Sequence, residues 1–141
     1  MEKDKGKIFE FDPVIYPGRL WVSIDPSFDD IVKDFYFTDD DDEVCDELVV
    51  RSLYDKHAYS VATTFTVVHK ESCWKGCLVA IWQKRNSGVG VCSHEATHVY
   101  DYFAQELGLE CQGFSNGEPK AYFVQWVANC IYDVVKGKAG K

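Results

Sequence analysis

Two histidines flank a glutamate in the run His94-Glu95-Ala96-Thr97-His98, an H-E-x-x-H pattern inside a segment whose apolar spacing predicts a helix over residues 88–107. At roughly 100° per residue the two histidines project about 40° apart on such a helix, close enough to hold one metal ion together. Neutral imidazole suits zinc, and a rigid helix fixes the two ring nitrogens at the separation a tetrahedral ion requires. Ala96, Val99 and Phe103 fall on the opposite side, so the helix divides into a polar face and an apolar face that a core can bury. Glu95, beside both histidines, is placed to take a proton from a metal-activated water as general base.

A third ligand is needed, and Glu118 opens the next predicted helix as Glu118-Pro119-Lys120-Ala121-Tyr122. A loop that reverses the chain would bring its carboxylate back toward His94 and His98, giving a His2Glu set with a fourth position left for water. Asp101, one turn beyond His98, could orient a histidine by accepting its second N–H, or take the place of Glu118. Tyr122, Tyr100 and Tyr102 are phenols able to donate to an oxyanion. Tyr122 is, with Glu95, a catalytic candidate. Other candidate metal groups fail on spacing. The acidic run Asp39 to Glu43 lacks a calcium-loop pattern, the Cys73 and Cys77 pair has no partner pair, and His57 and His69 sit near predicted strand ends.

Over residues 88–130 these features resemble the zincins, specifically the gluzincin group typified by thermolysin, with two motif histidines and a glutamate on a following helix. The resemblance implies a zinc metallopeptidase in which His94, His98 and Glu118 hold Zn2+ and Glu95 is the general base. It also implies an upper sheet whose edge strand, here Cys77 to Gln83, lies over the cleft and pairs with an extended peptide. The chain departs from that group in its short length, and in having Tyr122 where thermolysin-like enzymes carry a second-shell aspartate. Small H-E-x-x-H proteins of bacterial and phage genomes carry a similar E-x-x-A-Y segment.

The elements that must position these residues are legible in outline. Apolar stretches around Ile8 to Tyr16 and Leu20 to Ile24 flank Pro17-Gly18 and predict a hairpin. A short helix is expected from Asp25 to about Phe37, and a second after the acidic run, with Val44, Leu48 and Leu53 inward. Alternation of Val61, Thr63, Phe65 and Val67 predicts a strand over Tyr59 to His69, paired with Cys77 to Gln83, both central. A last helix from Pro119 would bury Phe123, Val127, Ile131 and Val134. The expected whole is one α+β, zincin-like domain spanning residues 1–141: a small mixed or antiparallel sheet, the motif helix, and a ligand-bearing helix after it.

Composition narrows the partners. A formal charge of −8 without a basic stripe disfavours nucleic acid and anionic membrane surfaces. No apolar run approaches the roughly 20 residues that span a bilayer, and no apolar segment follows the charged start, so a cytoplasmic protein with six free cysteines is expected. The expected partner is a peptide or protein substrate, with oligomeric state left open. The competing expectation is a non-catalytic zincin-like metal-binding or interaction module, of phage or mobile-element type.

Overall fold

The computed structural model describes residues 3–109 and 117–140. Among them, four α-helices and one five-stranded sheet of order β1-β2-β5-β4-β3 make a mixed α+β fold. Strands β1 (Ile8–Phe11) and β2 (Arg19–Ile24) form the expected antiparallel hairpin. Next along the sheet, β2 runs parallel to β5 (Lys75–Ile81), and β5 pairs antiparallel with β4 (Ala62–His69). The run Leu78-Val79-Ala80-Ile81 is apolar on both faces because β5 is covered on both. Gly76 is required where β5 meets β2: a Cβ there would lie 1.8 Å from the carbonyl oxygen of Arg19.

Helices cover the two faces separately. Leu20, Val22, Cys77, Val79 and Ile81 pack against α3 (Val89–Leu107) and α4 (Glu118–Val135). Trp21, Phe65, Val67, Leu78 and Ala80 instead pack with residues of α1 (Phe28–Asp34) and α2 (Glu47–His57). Period-2 alternation therefore divides β4 into two rows: Phe65 and Val67 turn toward α1 and α2, and Ala62, Thr64 and Thr66 toward α3. On α3 the expected apolar stripe is buried at Cys92, Ala96, Val99 and Phe103, each large side chain contributing roughly 1.5–3 kcal/mol, whereas Val89, also expected on that side, lies in the first turn and is 70% exposed. Gly108 ends the helix in the left-handed conformation at φ 65°, as its position in the sequence requires. Phe123, Val127, Ile131 and Val134 form the buried face of α4, also as predicted.

Three expectations are corrected. Helix α1 begins after its capping residue Ser27 and ends at Asp34, and Phe35–Phe37 is the edge strand β3, paired with Val67–His69. Helix α2 starts from Asp46, whose side chain accepts from the Val49 N–H; its inward residues are Val50, Leu53 and Tyr54, whereas Leu48 is 82% exposed and Val44 lies outside the helix, also exposed. The segment Cys77 to Gln83 is no edge strand, because β5 is hydrogen-bonded on both sides. No helix among the described residues is long and apolar enough to cross a membrane.

Candidate active site

The motif falls wholly within α3, and its residues divide as a 3.6-residue period demands. Ala96 is fully buried against the sheet, while His94 and His98 stand one turn apart on the exposed side. Their Nε2 atoms are 3.2 Å apart. Two ligands of a tetrahedral zinc ion with bonds of ~2.0–2.1 Å lie about 3.3 Å from each other, so both nitrogens already occupy the separation that a shared ion imposes. At this distance a neutral N–H of one ring can also donate to the bare nitrogen of the other.

Glu95 is turned inward and only 5% exposed. A buried carboxylate requires a partner, and Thr64 on β4 supplies it: its hydroxyl donates to Glu95 Oε1 at 2.9 Å. The second oxygen, Oε2, lies 3.8 Å from His94 Nε2. One oxygen is thus anchored to the sheet and the other lies near His94. Replacing Thr64 by valine would leave Oε1 without its donor in a buried setting. The variant is expected to lose about 1–3 kcal/mol in denaturant unfolding while keeping its secondary structure; an unchanged midpoint would show that the bond contributes nothing.

His94, Glu95 and His98 line a cleft of about 570 Å³ between α3 and β4, shared with Asp101, Tyr102 and His57. Helix and strand run side by side in the same direction: Gly90 and Val91 stand by Val61 and Ala62, and Glu95 by Thr64. The outer edge of β4 is paired by β3 only from Val67 to His69, with Thr38 donating its N–H to the Thr66 carbonyl. By alternation the backbone N–H and C=O of Thr64 point out of the same edge, into the cleft. The strand edge left unpaired beside α3, among the described residues, is therefore the first half of β4 and not Cys77 to Gln83.

Of the other sequence candidates, Asp101 joins the histidines in the cleft. Glu118 is the first residue of α4 and exposed. The opening turn of α4, at Gly117, Lys120 and Ala121, borders Ser93 and Thr97 on the flank of α3 away from β4. Among the described residues no three His, Cys, Asp or Glu side chains are gathered as a metal ion would need, so Glu118 is not brought together with His94 and His98. Tyr122, 66% exposed, does not border the cleft. Tyr100 is a core residue against Phe123, with the Lys120 ammonium over its ring. Tyr102 is the phenol that borders the cleft; burial, and then the Glu106 carboxylate, raise its pKa and keep it protonated.

Thr64, His57 and Tyr102 thus belong to the cleft although sequence reasoning gave the first two no role. For Thr64 a signal existed: on β4 the α3-facing row carries Thr64 and Thr66 between apolar neighbours, where a purely structural strand would bury aliphatic side chains. His57 ends α2 and borders the cleft, a placement that local periodicity does not encode. The five described cysteines are unpaired, and neither His69 nor the Cys73 and Cys77 pair belongs to a metal cluster among the described residues. His69 stacks on Trp21. No protein-family model, curated protein or solved structure matches the chain.

Proposed function

We propose that this protein is a zinc-dependent peptidase whose reaction centre is the cleft between α3 and β4. The observation that carries the reading is the 3.2 Å approach of His94 Nε2 and His98 Nε2 directly beside a buried glutamate with one oxygen free. His94 and His98 would hold the ion, with Glu118 as third ligand. This requires the first turn of α4 to bring its carboxylate across from the Ser93 and Thr97 flank. A bound zinc ion would supply Lewis acidity and a water acidic enough to ionise near neutral pH.

The chain's own groups do the rest. Thr64 fixes the Glu95 carboxylate so that Oε2 can accept the proton of the attacking water. Oxygen from water bonds to the carbonyl carbon, the C–N bond breaks, and Glu95 delivers the proton to the departing nitrogen. The free edge of β4 at Thr64 holds an extended peptide by main-chain hydrogen bonds, which recognise backbone independently of side chains. Tyr102, kept protonated, can donate to negative charge developing on the carbonyl oxygen.

Stripping metal with a chelator should abolish peptide hydrolysis, and equimolar zinc should restore it. Hydrolysis at the same rate in chelator would refute the reading.

One observation favours a second reading, a non-catalytic metal-binding or interaction module: the absence, among the described residues, of a gathered third ligand. Zinc-dependent stabilisation without turnover of any member of a peptide library would favour it.

A further inference from the structure

A glycine occupies the second position of α3, where a helix gains nothing from one. Gly90 is not among the residues held at positive φ, so its backbone does not require glycine. Packing does not require it either, because a Cβ at this position would meet nothing within 4 Å. A side chain there would project on the face of α3 that carries His94, one turn further on.

The space left open is a depression of about 320 Å³ walled by Val61, Ala62, Gly90 and Val91 and completed by His94 and Glu95. Ala62, His94 and Glu95 also line the larger cleft, so the two are continuous. Val61, Ala62 and Val91 are half-buried and present hydrocarbon to it, and no lysine or arginine borders it.

Register along β4 decides which part of a bound peptide meets this depression. Ala62 and Thr64 lie two residues apart on the row facing α3, about 7 Å along the strand. In a peptide paired with the Thr64 edge, the side chain opposite Thr64 faces α3 beside Glu95. The next side chain on that face, two residues along, stands opposite Ala62. This holds for either direction of the peptide, because parallel and antiparallel neighbours share the same alternation. The outward backbone groups of Thr64 recognise main chain, and the apolar walls beside Ala62 recognise a side chain; the two features are independent and fall on one line.

Resting on the reading that an extended peptide pairs with the β4 edge, we propose that Gly90 is a specificity-determining residue. By lacking a side chain it keeps open a pocket, walled by Val61, Ala62 and Val91, that takes one aliphatic side chain of the peptide, the one opposite Ala62. Three hydrocarbon walls match an aliphatic group, whereas an acidic side chain would lose water beside Glu95 with no cation to receive it.

N-acetylated, C-terminally amidated pentapeptides with leucine, alanine or lysine at the centre of one serine- and threonine-containing sequence test this in metal-free protein, so that binding does not depend on turnover. Pairing with the edge is read from the backbone amide resonance of Thr64, and entry into the pocket from the methyl resonances of Val61 and Val91. The leucine peptide is expected to bind about tenfold more tightly than the alanine peptide and to shift both valines. Gly90→Leu should fold at least as stably as the parent, since its side chain enters open space and leucine is the better helix former. In that variant the preference for leucine should vanish while the alanine peptide still shifts the Thr64 amide. Equal binding of the leucine and alanine peptides by the unaltered protein, or a leucine preference retained by Gly90→Leu, would overturn the inference and leave the edge reading standing. Lysine bound as tightly as leucine would overturn it as well, by assigning the pocket to the charge of Glu95. If no peptide shifts the Thr64 amide, the edge reading fails and the inference with it. Leucine selectivity in metal-free protein, combined with no cleavage by zinc-loaded protein, would support the inference and overturn only the peptidase reading.

Discussion

Glu95→Gln is expected to lower the rate of peptide hydrolysis by roughly 10²- to 10⁴-fold, the range that a positioned general base contributes. The substitution isolates chemistry from structure. Glutamine has the shape of glutamate, and its amide oxygen can still accept the hydroxyl hydrogen of Thr64 in the place now filled by Oε1. What is lost is a basic oxygen beside His94. Stability and zinc affinity should therefore stay near those of the unaltered protein while kcat falls. If the rate is unchanged in protein shown to be folded and zinc-loaded, Glu95 is not the base and the proposed mechanism fails.

The second large effect is expected on metal binding. His94→Ala and His98→Ala should each abolish stoichiometric zinc uptake in calorimetry, because a site of two imidazoles and one carboxylate cannot hold the ion on half its nitrogen ligands. With zinc at a hundred times its Kd, the unaltered protein gains about 2.7 kcal/mol through mass action, a stabilisation that both variants should lack. Both side chains are exposed, so neither substitution opens a cavity in the core and the metal-free variants should melt close to the metal-free parent. Retention of one zinc per chain by either variant would place the ion elsewhere. Glu118→Ala and Asp101→Ala in the same assay decide which carboxylate completes the set: loss of affinity confined to Asp101→Ala would displace Glu118 from that role.

The reach of the sequence followed the length and regularity of each element. Helix α3 was readable from its cap glycine to its buried stripe because nineteen residues repeat one period without interruption. The same regularity put His94 and His98 on one face and Glu95 beside them. Helix α4 was equally plain, since Pro119 marks its first turn and Phe123, Val127, Ile131 and Val134 its buried side. Short elements were not legible. Phe35-Tyr36-Phe37 continues the apolar spacing of α1, and only pairing with Val67–His69, thirty or more residues later, makes it a strand.

The site divides along the same line. Its helical half is local and was predicted; its sheet half depends on strand order, which no local pattern specifies. Cys77 to Gln83 and Tyr59 to His69 both have the pattern of central strands, and nothing local shows that it is the second, not the first, that borders the site. In the fold, β5 is buried between β2 and β4, and of the two threonines on the α3-facing row of β4 it is Thr64 that reaches Glu95. Glu118 is a candidate by its place at the head of α4. Whether a carboxylate there reaches the histidines depends on the path of the connection before it, and much of the predicted loop Leu109 to Gly117 lies outside the described residues.

The proposed peptidase needs one zinc ion held between the two imidazoles on α3 with a corner left for water. Crystals grown with one equivalent of zinc and measured on both sides of the zinc absorption edge test it most directly. A single anomalous peak per chain is expected at ~2.0–2.1 Å from His94 Nε2 and His98 Nε2, with one carboxylate oxygen and one water completing the sphere. A peak bound by other residues, or no peak in a crystal shown to contain the folded chain and free zinc, would contradict it.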